Sequence, residues 1–170
     1  IMGGINIYLK TNNLDKLEKR LKALAKLKTK VGYFQEQGDH YSGMTYPELV
    51  AMHSSGVPSK NIPARPIFEI AYMSYDLKKS TIKNDLKKYL SNIGKSSAPI
   101  KVEQIGINFA NSFSQHMIPI FGDTSKLKPN TPYTQHLKTL AGVEANNPLV
   151  WTGDLRDNLS YKLNNKLARV

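Results

Sequence analysis

The stretch Trp151-Thr152-Gly153-Asp154-Leu155-Arg156-Asp157-Asn158-Leu159-Ser160-Tyr161-Lys162-Leu163 changes character twice. Thr152-Gly153-Asp154 is polar and tight, suited to a turn that starts a helix. Leu155 and Leu159 then stand four apart, as on one helical turn. Ser160 to Leu163 alternates polar and apolar, the period of a strand. A strand this late returns to a sheet begun earlier. Two earlier segments read as strands: Ile5 to Leu9, which alternates, and Lys30 to Phe34, rich in β-formers.

The intervening sequence is mostly helical in pattern. Leu14, Leu17, Leu21, Leu24 and Leu27 form one apolar stripe opposite a face of Lys, Glu and Arg. Asn12 or Asn13 is placed to cap that helix, and packing on the sheet is its expected use. Tyr46 to Met52 reads as a short helix with Pro47 in its first turn and Gly56 as its stop. Pro63 and Pro66 bracket Arg65, and each fixes its own φ and disfavours helix in the residue before it. The result is a stiff extended arm feeding a helix near Pro66. Helical spacing from Ile67 through Ile82 and Leu86 to Ile93 predicts one long helix that stops at Gly94. A second long helix carries Val102, Ile105, Phe109, Phe113 and Met117 and ends at Pro119. The segment Gln35 to Thr45 has the composition of a hairpin tip or mobile loop. Gly122 to Pro148 has that of a long surface excursion, with a short helix over Pro132 to Leu140. The fold class expected is α+β: a small antiparallel sheet against the N-terminal amphipathic helix and two longer central helices, in a single domain spanning residues 1–170.

The chain has 170 residues, long enough to bury a core without staples, and no cysteine, so disulfides and thiolate metal sites are excluded. No apolar run approaches the ~20 residues a membrane span needs, and no signal segment opens the chain. Lys and Arg number 24 against 13 Asp and Glu, a net charge of +11 that attracts polyanions and acidic surfaces. The basic residues are dispersed along helix faces. They read either as solvated faces or as a surface that meets DNA without reading its sequence.

Residues for chemistry are sparse. The four histidines, His40, His53, His116 and His136, lie too far apart in sequence for a helical zinc pair. No nucleophile elbow or phosphate loop occurs. Asp154 and Asp157 stand three apart, but Arg156 lies between them and no third acidic residue converges, so a helix-capping role is expected of Asp154. No catalytic, cofactor or metal residue is assigned. Arg65, rigidly held, suits a bidentate contact to a carboxylate, either within its own chain or on a neighbour.

Four motifs occur in order. Val31-Gly32-Tyr33-Phe34 is followed by Tyr46-Pro47-Glu48-Leu49-Val50-Ala51-Met52-His53-Ser54-Ser55-Gly56 leading to Ile62-Pro63-Ala64-Arg65-Pro66-Ile67-Phe68. Leu127-Lys128-Pro129-Asn130-Thr131 comes next, and Pro148-Leu149-Val150-Trp151-Thr152-Gly153-Asp154-Leu155-Arg156-Asp157-Asn158-Leu159-Ser160-Tyr161 closes the series. Their order and spacing resemble the neck and tail-completion proteins of tailed phages, also called virion-morphogenesis or head–tail joining proteins. The resemblance covers residues from about 14 to 163. It departs from the usual pattern at Ser54-Ser55, Ile67-Phe68 and Asn158-Leu159.

The resemblance implies a structural virion protein and not an enzyme. Such a subunit joins a ring, commonly sixfold, between the DNA-filled head and the tail, and meets adaptor, stopper or tail-tube proteins. Genomic DNA would be touched by charge alone in the lumen, no membrane would be involved, and assembly would take place in the host cytoplasm. A ring closes through heterologous contacts. Ile62, Pro63, Arg65, Pro66, Phe68, Trp151, Thr152, Gly153, Leu155 and Arg156 are the candidates for subunit or partner contact. A sequence-independent nucleic-acid-binding protein is the alternative that charge alone suggests.

Overall fold

The computed structural model describes residues 11–77, 81–91 and 100–170. The expected strand over Ile5 to Leu9 and the helix stop at Gly94 lie outside them. The described residues form an α+β fold. In chain order they comprise α1 (Thr11–Lys26), β1 (Thr29–Gly32), α2 (Tyr46–Ser55), α3 (Ile67–Ser74), α4 (Ile82–Ser91) and α5 (Val102–Met117). They end with α6 (Pro132–Leu140), α7 (Asp154–Asp157), β2 (Ser160–Leu163) and β3 (Lys166–Arg169). None of these helices is long and apolar enough to cross a membrane.

The late strand does return to the early one. β2 lies between β1 and β3, antiparallel to both, with Thr29 opposite Leu163 and Gly32 opposite Ser160. The β2–β3 hairpin turns on Asn164 and Asn165, both left-handed at φ 47° and 68°. Asparagine tolerates that region, and two such residues make the turn whose twist matches the strands. β3 has no counterpart in the sequence reading.

The helix that covers the sheet is α5, set against β1 and β2, while α1 meets α4. The close approach falls at Gly106, where a Cβ would come within 2.5 Å of Leu163 Cδ1 and 2.6 Å of Thr29 Oγ1. α1 is described from Thr11, which places Asn12 and Asn13 inside the helix and not ahead of it. Leu17, Leu24 and Leu27 are half-buried, whereas Leu14 and Leu21 are exposed. The core joins α2, α3, α5 and α7 through Tyr46, Leu49, Ile67, Phe113, Met117 and Leu155.

The long helix expected from Ile67 onward is two helices. Tyr75 leaves helical geometry at φ −77°, ψ 117°. Its ring packs edge-on against Phe109, Phe113 and His116 of α5, and its hydroxyl donates to Ser112 Oγ at 2.9 Å. Burying this ring in α5 is worth more than continuing the helix. Ser74 Oγ bonds back to Ile70 O at 2.8 Å, a contact that bends helices.

The excursion from Gly122 to Pro148 is anchored and not loose. Leu127 enters the core, and Asn130, Lys138 and Pro148 are buried. The segment from 35 to 45 is a closed tip, bridged between Asp39 and Thr45.

Candidate interaction cleft

α2 begins with a capping box. Thr45 Oγ1 accepts from Glu48 N, and Glu48 Oε2 accepts from Thr45 N at 2.9 Å. The helix ends at Gly56, φ 73°, where a Cβ would stand 2.6 Å from Ala64 N. Only glycine allows both that φ and the close return of the chain. The loop closes through Val57 N to Ile62 O, 2.8 Å, and Ile62 N to Val57 O, 3.1 Å. The arm then lies alongside the end of α2, with Arg65 N donating to His53 O at 2.7 Å.

Pro66 makes a tight inverse turn, φ −77° and ψ 70°, bridged by Ile67 N to Arg65 O at 2.8 Å. That turn sends the Arg65 side chain inward. Nε donates to Lys128 O at 2.8 Å, and Nη2 donates to Pro129 O at 2.9 Å and to Asn130 Oδ1 at 3.2 Å. Of the two partners expected for Arg65, a neighbour or its own chain, the structure holds the second, with neutral oxygens in place of a carboxylate. At 5% exposure its guanidinium is an internal strut.

Asn130 passes the connection on, donating from Nδ2 to Ala145 O at 2.9 Å. Lys138, also buried, donates from Nζ to Asn147 O at 2.6 Å and Val150 O at 2.5 Å. These bonds hold the segment before Trp151. Leu149 takes a left-handed φ of 63° there, and Gly153 follows at 88°.

Asp154 does not cap α7. Gly153 holds the cap position, and the Asp154 carboxylate accepts from Tyr46 OH at 2.8 Å and Asn158 Nδ2 at 2.9 Å. His40 Nε2 lies 3.4 Å away. Burial, then the bond to Asp154, pushes the Tyr46 hydroxyl up to about 12. Tyr33 OH donates to Leu155 O and so ties β1 to α7.

Between the arm and the Trp151 turn lies a cleft of about 1270 Å³. Ile62, Pro63 and Arg65 line one side, and Trp151, Thr152, Gly153 and Leu155 the other. Pro66, Phe68 and Arg156 fall outside the lining. Phe68 meets Tyr33 edge-on with centroids 6.1 Å apart, and Arg156 pairs with Asp157 at 2.8 Å on the surface. The lining also takes in His40, Tyr41, Tyr133 and Lys138, which no sequence motif singled out.

No family model matches the chain, and no curated protein or solved structure is similar to it. The cleft is therefore read from its own chemistry. Among the described residues no group of three His, Cys, Asp or Glu is placed to hold a metal ion. His53, at the end of α2, has a buried Nδ1 without a partner among the described residues. Burial, and next the charges of Arg65 and His40, pull its pKa down to about 4. It is neutral near pH 7, and no carboxylate is among the groups that shift it. The cleft presents shape, apolar wall and positive charge, which are the means of recognition.

Proposed function

We propose that this chain is a structural protein of a tailed-phage virion, a neck or tail-completion subunit that works as part of a ring between head and tail. The observation that carries this reading is the mutual bonding of the four motifs behind the resemblance. Tyr33 of the first motif donates to Leu155 of the last, and Tyr46 of the second to Asp154. Arg65 bonds to Lys128, Pro129 and Asn130 of the third. Side chains that bond to one another in this way hold a surface in shape, as a part made for assembly needs.

Exposed apolar side chains favour the same reading. Tyr72 and Met73 at the end of α3 are 77% and 75% exposed, and Tyr133 and Leu140 on α6 are 72% and 71% exposed. Side chains this open are available to a second surface. A heterologous ring contact would use two different stretches of the subunit surface. The net charge of +11 suits a lumen that passes DNA, through phosphate contacts without sequence preference.

The test is sedimentation and negative-stain imaging of the purified chain, with linear duplex DNA in a parallel binding assay. Rings, formed alone or on isolated tail ends, with weak DNA binding by the free subunit, are expected. A subunit that stays monomeric under every condition and binds free DNA tightly and salt-sensitively is instead the nucleic-acid-binding protein.

A further inference from the structure

Four basic side chains line the cleft, Lys60, Arg65, Lys128 and Lys138, against one carboxylate, Asp154. That carboxylate is already engaged by Tyr46 and Asn158. Arg65 and Lys138 are 5% and 3% exposed. Their side-chain hydrogen bonds all end on neutral oxygens. Arg65 uses Nε and Nη2 for these bonds.

Buried cations without an anion are costly, and two together cost more. Burial lowers the proton affinity of Lys138, and the charge of Arg65 lowers it further, with Glu144 acting in the opposite sense. The N-terminal turn of α6, from Thr131 to Thr134, lines the same cleft and adds the positive end of a helix. All three make the cleft electropositive and draw an anion towards its rim.

The remaining wall decides what carries that anion. Ile62, Pro63, Leu149, Val150 and Trp151 are apolar and would be wasted on a bare inorganic ion. A second copy of a chain with 13 acidic against 24 basic residues is a poor source of an acidic segment. We propose that the cleft receives a short acidic segment of a different protein, its carboxylate at the exposed rim lysines Lys60 and Lys128 and its apolar neighbours against Ile62, Pro63 and Trp151. This inference does not depend on the neck reading.

The chain holds a single tryptophan, Trp151, 40% exposed at the rim, so its emission reports on the cleft directly. The full chain is titrated with two pooled libraries of peptides about eight residues long, ~25 Å when extended. One mixes Asp and Glu with Leu, Val and Pro; the other replaces Asp and Glu by Asn and Gln. A thymidine oligonucleotide is the third ligand. The expected result is a saturable blue shift with the acidic pool and at least about tenfold weaker binding of the amide pool. A K60E/K128E variant, altered at two exposed rim positions, should keep its far-UV circular dichroism and lose affinity for the acidic pool by at least about tenfold. Equal binding of both pools, no shift with either at about 1 mM, or a shift only with the oligonucleotide overturns the proposal.

Discussion

Arg65 shows how much one residue can decide. Its guanidinium bonds to residues 128 to 130 and joins two parts of the chain distant in sequence. Arg65→Ala would leave two carbonyls and an amide oxygen without their donor in a closed site. At about 1–3 kcal/mol for a buried group left unmet, the loss should reach about 3 kcal/mol, or a fall in Tm of about 10 °C. Arg65→Lys keeps the charge but not the planar fork, so it should recover less than half of that. Thermal melts of the three proteins check this, and an unchanged Tm in the alanine variant removes the strut. His53 gives the matching pH prediction. Its pKa of about 4 in the fold lies below its value of about 6.5 when unfolded. The unfolded chain therefore binds the extra proton between those values. The stability His53 contributes is present above about pH 6.5 and is lost as pH falls towards 4. About 2 kcal/mol should disappear between pH 7.5 and 5, and His53→Gln should lack that share of the loss. Urea unfolding at the two pH values measures it. An equal slope in both proteins would show that His53 takes its proton freely in the fold.

At the scale of elements, the close approach of α5 to the sheet gives the clearest expectation. Alanine in a helix is normally better than glycine by about 1 kcal/mol. At Gly106 a methyl would meet Leu163 and Thr29 within 2.6 Å, and Thr29 is β-branched and stiff. Gly106→Ala should therefore destabilise by about 1–2 kcal/mol in a denaturant titration. A stabilised variant would mean that helix and sheet part easily. The same helix explains what was legible in the sequence. α5 and α6 declared themselves because a stripe or a proline marks each end, and α2 because Pro47 and Gly56 bracket it. The break between α3 and α4 has no proline or glycine at Tyr75; its cause is a ring lodged in α5, which no local pattern carries. β3 was signalled only by Asn164-Asn165, whose left-handed turn needs no glycine. The cleft itself was half legible. Its two walls come from motif segments, but Lys138 and Tyr41 reach it through long-range folding that spacing does not encode.

At the scale of the whole molecule, charge and assembly oppose each other. In the proposed ring, bringing several chains of net charge +11 together would be resisted by self-repulsion, which solution ions screen over about 10 Å at 0.1 M salt and about 3 Å at 1 M. The apolar contacts proposed at Tyr72, Met73, Tyr133 and Leu140 do not weaken in salt. If those contacts close the ring, its fraction in sedimentation velocity should rise as salt goes from about 50 mM to about 500 mM. Duplex DNA threaded through the lumen should replace salt at the lower strength, because weak phosphate contacts add up once the subunits are linked. A nucleic-acid-binding monomer behaves the other way: salt releases it from DNA and produces no larger species. The direction of the salt dependence therefore separates the two functions without any knowledge of the partner. A Tyr72→Asp/Met73→Asp variant should remain folded and monomeric throughout, since both side chains face solvent in the single chain. A ring that survives this change in high salt would move the subunit contact away from the end of α3.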